Sequence, residues 1–141
     1  MKIVVGVDGS EGSARALGWC AEHAARLEAE VIAVHALEMP MFAASLDPVA
    51  PPPVWRPEDR ARIESVLRDE WCKQLTDASV LFRSAVIDGY PPKVLIDVAA
   101  REGADLVVTG RRGIGGFKEM LLGSTSHHLS HHLGCALLIV P

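Results

Sequence analysis

Gly110-Arg111-Arg112-Gly113, nine further residues, and then Gly123-Ser124-Thr125 form the group in this chain best suited to holding a ligand. Glycines let backbone N–H groups come close to a bound molecule, and a helix N-terminus offers unpaired donors with a partial positive charge. A phosphate fits such a place. Arg111, Arg112 and Lys118 against Glu119 leave the segment 110–126 at net +2 within a chain of net −4. That local reversal favours an anionic ligand over a neutral one. The loop is not a Walker A loop, because no Gly-Lys-Ser/Thr closes it, and it does not match G-x-G-x-x-G. A tight turn with a solvated basic pair remains the plain alternative.

Asp8, in Asp8-Gly9-Ser10 after the apolar run Ile3 to Val7, is the second candidate. It could equally cap the following helix, and Ser124 and Thr125 could cap the last one. His127, His128, His131 and His132 form a doublet repeated four residues on, so two pairs can share helix faces. Histidines at that spacing can hold zinc or copper. Only Cys135, beyond the expected helix end, stands near them as a further ligand. The run is therefore read as a half-exposed helix, with no metal site. His35 reads as a packed histidine, and Cys72 beside Trp71 as core lining. No Ser/His/Asp set, paired carboxylates or activated cysteine emerges.

The elements that must position these residues follow from periodicity and punctuation. Ile3 to Val7, Val31 to Ala36, Val80 to Ile87, Leu106 to Thr109 and Ala136 to Val140 read as strands. Arg83 and Ser84 interrupt the third, which argues for an edge. A helix after Ser10 presents Ala14, Leu17, Ala21 and Ala24 on one face. Five prolines make 38–56 a long loop. Pro57, Glu58 and Asp59 open a helix with the stripe Ile63, Val66, Leu67, Trp71 and Leu75. Pro92 opens the next, carrying Leu95, Val98 and Ala99, and Gly103 closes it. Ser124 to Leu133 is the last helix. This order predicts one α/β domain over 1–141, a parallel sheet with helices on both faces. Ligands in such sheets bind beyond the carboxyl ends of the strands, where strand order reverses. If the first and fourth strands are neighbours, Asp8 and the glycine loop face one crevice.

Bulk composition agrees. A chain of 141 residues, 49% hydrophobic and 23% charged, is ordinary for a globular protein. At this size roughly 70% of the unfolded surface is buried on folding. The mildly acidic balance gives no reason to expect a nucleic-acid or membrane partner. No apolar run approaches a membrane span, and the N-terminus reads as a strand rather than a signal peptide. Three widely spaced cysteines suggest free thiols in the cytoplasm, with neither disulfides nor zinc.

The spacing Gly110-x2-Gly113-x9-Gly123-Ser124 resembles the signature of the ATP-binding branch of the universal stress protein family. The resemblance covers the chain: Val5 to Ser10, Asp88-Gly89-Tyr90-Pro91, Glu102 to Val108, Glu119 to Ser124 and Cys135 to Val140 match its segments. It implies a flavodoxin-like, doubly wound five-stranded parallel sheet of order 3-2-1-4-5 and ATP as ligand. Carried over, Asp8 accepts a hydrogen bond from a ribose hydroxyl, with Val7 and Gly9 lining the site. Ala36 meets the adenine edge through its backbone. Gly110 lies under the ribose, with Thr109 also in the site and Arg112 and Gly113 beside the phosphates. Gly123, Ser124 and Thr125 cradle the outer phosphates. Magnesium or manganese could bridge phosphate oxygens, although no acidic metal cage is visible.

Slow ATP hydrolysis, or autophosphorylation on Ser124, Thr125 or Ser126, comes with the family resemblance, but the residues supply no positioned base for either. AMP or cyclic AMP suits the same cradle. The wholly apolar run Ala136 to Val140 is an edge in the implied order and invites pairing into a homodimer. The competing reading is a dimeric interaction module whose loop binds nothing.

Overall fold

The computed structural model describes residues 1–38, 56–114 and 122–141. The proline-rich stretch 39–55 and the segment 115–121, with Lys118 and Glu119, lie outside the described residues. Five strands, β1 (Lys2–Gly6), β2 (Glu30–Leu37), β3 (Phe82–Asp88), β4 (Leu106–Gly110) and β5 (Ala136–Val140), form one parallel sheet in the order β3-β2-β1-β4-β5. This is the expected order, with β3 on an edge. Val5 pairs with Ala33 on one side and Val108 on the other, so the order reverses between β1 and β4.

The central strands β1 and β4 and most of β2 are apolar because both faces are covered, while β3 on the edge carries Arg83 and Ser84. Ile3, Val5, Val31, Ala33 and Val108 face one helical layer with Leu17, Cys20, Leu67 and Leu75. Val4, Ile32, Val34 and Val107 face the other with Leu95, Val98, Ala99 and Leu129. The helices are α1 (Glu11–His23), α2 (Pro57–Ser65), α3 (Lys73–Asp77), α4 (Pro91–Glu102) and α5 (Ser124–His132). Among the described residues no helix is long and apolar enough to cross a membrane.

Local chemistry sets most boundaries. Ser10 caps α1, its Oγ accepting from Ser13 N at 3.2 Å. Pro91 and Pro92 occupy the first positions of α4, and Gly103 ends it in the left-handed region at φ 62°. Two expectations need correction. The buried face of α1 is Ser13, Ala16, Leu17, Cys20 and Ala24, while Ala14 is exposed; alanine is too small to fix a helix face. The helix expected from Pro57 through Leu75 is also not continuous. A π-helical segment, Val66–Trp71, separates α2 from α3, and Cys72 N donates five residues back to Leu67 O at 3.0 Å.

Candidate functional site

Beyond the carboxyl ends of β1, β2 and β4 lies a cleft of about 460 Å³. Of the eleven residues assigned to it from sequence, Val7, Asp8, Ala36, Thr109, Gly110, Arg112, Gly113, Gly123, Ser124 and Thr125 all line it. Gly9 does not. It turns at φ 78°, and a Cβ there would meet the Trp71 ring at 2.6 Å. Gly9 is glycine to seat Trp71, and its part in the site is the turn that aims Asp8.

Asp8 spans the crevice. Its Oδ1 accepts from Ser10 N at 3.0 Å and from Ser10 Oγ at 2.5 Å, while Oδ2 accepts from Ile114 N at 3.2 Å. The N-cap of α1 is Ser10, so Asp8 is free of that duty and ties the first turn to the glycine loop. Gly113 lies directly under it: an added Cβ would fall 2.4 Å from Oδ2.

The other motif glycines answer to backbone. A Cβ on Gly110 would lie 2.4 Å from the Gly12 carbonyl carbon, so α1 can approach β4 only across two glycines. Gly123 N donates to Arg111 O at 2.8 Å, and its Cβ would crowd the Arg111 and Arg112 backbone at 3.2–3.3 Å. Ser126, 1% exposed, lies 3.1 Å through Oγ from the carbonyls of both Arg111 and Gly123. It is a buried tie rather than a surface hydroxyl. Thr109 is buried too, its hydroxyl donating to Gly110 O at 2.6 Å.

Gly123 itself is the N-cap of α5, with no side chain capping the first turn. Neither Ser124 nor Thr125 caps the helix; Ser124 is exposed and Thr125 half-buried inside the first turn. The positive end of α5 therefore opens on the cleft beside Arg112, a ready anion site. At the other end Val34, Ala36, Pro91 and Leu95 give an apolar lining. The cleft is thus polarised, apolar toward β2 and α4, and donor-rich toward β4 and α5.

Tyr90, Pro91 and Leu95 were not assigned to the site from sequence. The signal was present in the pairing of β3 with β2, which brings the β3–α4 turn beside Ala36. His35 is a packed histidine that also lines the cleft. Its Nδ1 lies 2.8 Å from Val7 O, and its ring meets Trp71 edge-on, with centroids 5.3 Å apart. Since a carbonyl only accepts, Nδ1 carries the proton. The histidine run pairs along α5: His128 and His132 stack with centroids 4.3 Å apart, and His127 and His131 meet edge-on at 4.9 Å. Among the described residues no three His, Cys, Asp or Glu groups converge as a cation cage.

Over residues 1–141 the chain matches the universal stress protein family. It is 33% identical to the universal stress protein YxiE of Bacillus subtilis, with 99% of this chain and 97% of that protein aligned. Among solved structures it is similar to UspA from Lactobacillus plantarum, with a TM-score of 0.78 and 19% identity over 100% of this chain and 97% of that one. A universal stress protein in complex with cAMP gives a TM-score of 0.70 and 24% identity, covering 100% and 96% of the two chains.

Proposed function

Because the chain belongs to the universal stress protein family, we propose that its cleft binds an adenine nucleotide, in the first place ATP. The observation that carries this reading is the meeting, in one polarised cleft, of Asp8, Gly113 and the uncapped end of α5. In this reading Asp8 exchanges the Ile114 N–H for a ribose hydroxyl, and the Ala36 backbone meets the base edge. Thr109 and Gly110 floor the ribose. Arg112 and Gly113 flank the inner phosphates, and the N–H and hydroxyl groups of Gly123, Ser124 and Thr125 take the outer ones. Magnesium or manganese would be held by phosphate oxygens and water, since the described residues offer no cage of their own. The cyclic AMP complex of a related fold supports the ligand class.

Binding, not turnover, is the function. A phosphate cradle without a base poised on a water hydrolyses slowly at most. We read the protein as a cytoplasmic homodimer, joined through β5, whose shape or partners change with nucleotide state during stress. The test is to denature the purified protein, identify any released nucleotide by mass, and titrate ATP, AMP and cyclic AMP by calorimetry. Bound ATP, or an affinity lowered at least about ten-fold (about 1.4 kcal/mol) in Gly113→Val, supports the cradle. No nucleotide and no heat with a folded protein leaves the dimeric interaction module.

A further inference from the structure

Tyr90 is the chain's single tyrosine. It is 48% exposed, yet it lines the same cleft as Ala36 and Asp8. Its backbone is held from both sides. Gly89 before it takes φ 140°, and Pro91 and Pro92 after it open α4. Proline restricts its predecessor to extended dihedrals, and Tyr90 has φ −68° and ψ 123°. Gly89 N donates to Leu37 O at 3.1 Å, which carries the β2–β3 pairing past Asp88 and delivers Tyr90 beside the end of β2. On its other flank His128 of α5 meets the phenol ring edge-on, centroids 6.0 Å apart at 87°. An aromatic fixed this way has little freedom left to lose on binding. It also stands at the apolar end of the cleft, where Ala36 contributes only a methyl and Pro91 and Leu95 continue the wall.

We propose that Tyr90 is the base-selecting wall of the cleft, stacking on the planar ring of a purine nucleotide whose edge meets the Ala36 backbone. This rests on the nucleotide reading above and adds the residue by which the protein tells a nucleotide from phosphate alone. Phosphate donors act on any polyphosphate; a stacking wall acts only on the base.

The test compares ATP with inorganic tripolyphosphate by calorimetry on the wild-type protein, Tyr90→Ala and Tyr90→Phe, with circular dichroism to verify folding. Tyr90→Ala is expected to lose about ten-fold or more in ATP affinity, the scale of one base–aromatic stack. Its affinity for tripolyphosphate stays within a factor of about two, and Tyr90→Phe retains ATP binding because the π-face survives. An unchanged ATP affinity in Tyr90→Ala, or an equal fall for both ligands, overturns the proposal. So does a wild-type protein that binds tripolyphosphate as tightly as ATP. A folded wild type that binds neither overturns the nucleotide reading beneath it, and the wild-type titration alone separates that case.

Discussion

Gly110 lacks a side chain because the Gly12 backbone stands where its Cβ would be, 2.4 Å away. Backbone cannot step aside as a flexible side chain can, so Gly110→Ala is expected to cost about 1–3 kcal/mol in urea unfolding. Gly134→Ala is the control: nothing lies within 4 Å of its Cβ, and its stability is expected to stay within about 0.5 kcal/mol of wild type. Equal losses would show that the close approach of α1 to β4 is not what Gly110 serves. Asp8→Asn makes a second residue-scale test. The amide oxygen can keep the bonds from Ser10, but its nitrogen cannot accept from Ile114 N, which the carboxylate does at 3.2 Å. Loss of about 1 kcal/mol in stability, with the α1 turn intact by amide exchange, is expected. Sequence spacing singles out Gly110, Gly113 and Gly123 as a candidate ligand loop. It did not disclose that each also answers to a packing partner: Gly12 and Asp8 reach Gly110 and Gly113 only once β1 pairs with β4, and the Arg111–Arg112 backbone reaches Gly123 only once α5 folds back beside the end of β4. The contact of Gly9 with Trp71 was hidden for the same reason: Trp71, which fills its missing side chain, is distant in sequence.

At the scale of elements, the boundaries read well from sequence were those written in one or two residues. Pro57, Pro92, Ser10 and Gly103 each constrain dihedrals or satisfy helix ends locally, and α4 starts one residue before the expected Pro92, at Pro91. The π-helical segment was not legible. Ile63, Leu67, Trp71 and Leu75 suit an ordinary α-helix, and it is the docking of Trp71 between Gly9 and His35 that accompanies the extra residue in the turn. That segment also delivers Cys72 into the core against α1. Burial pushes the Cys20 thiol up to about 12, with Cys72 nearby adding to the rise, and the Cys72 thiol up to about 11. Burial also raises the Cys135 thiol, with Asp105 adding to it. Cys20 and Cys72 are buried, however, and Cys135 is half-exposed, so only Cys135 is expected to react with an aromatic disulfide reagent in the native state. The linkage has a definite sign. An unfolded thiol ionises near 9, so above that pH the unfolded chain binds fewer protons than the native one. Stability is then level below pH 9 and falls as the pH climbs toward 12. Replacing both cysteines by alanine should flatten that limb while lowering stability throughout; an undiminished alkaline limb would assign it to other groups.

For the whole molecule, the strand order was legible only through family resemblance, since periodicity yields elements and not their neighbours. Once β1 and β4 adjoin, the crevice and its polarity follow, and the β3–α4 turn that carries Tyr90 closes one side. The same order leaves β5 on an edge, with Leu137 to Val140 half-buried and Leu138 and Val140 packed against one core layer. A charge at Leu138 would therefore disturb the core as well as any interface. The backbone offers a cleaner probe. Val140 O accepts from Arg111 N at 2.7 Å, so it faces β4, and by the alternation of a strand the Ile139 N–H points away from the sheet. Ile139→Pro removes that outward donor without touching the β4–β5 ladder, a change edge strands tolerate. If two copies pair through β5, sedimentation at micromolar concentration gives the wild type at twice the 15.2 kDa chain mass and Ile139→Pro at the chain mass. A variant that stays dimeric puts the interface elsewhere, and a monomeric wild type removes the dimer altogether. Because β4 both lines the cleft and pairs with this edge strand, the titration of ATP into Ile139→Pro then decides whether assembly and binding are coupled.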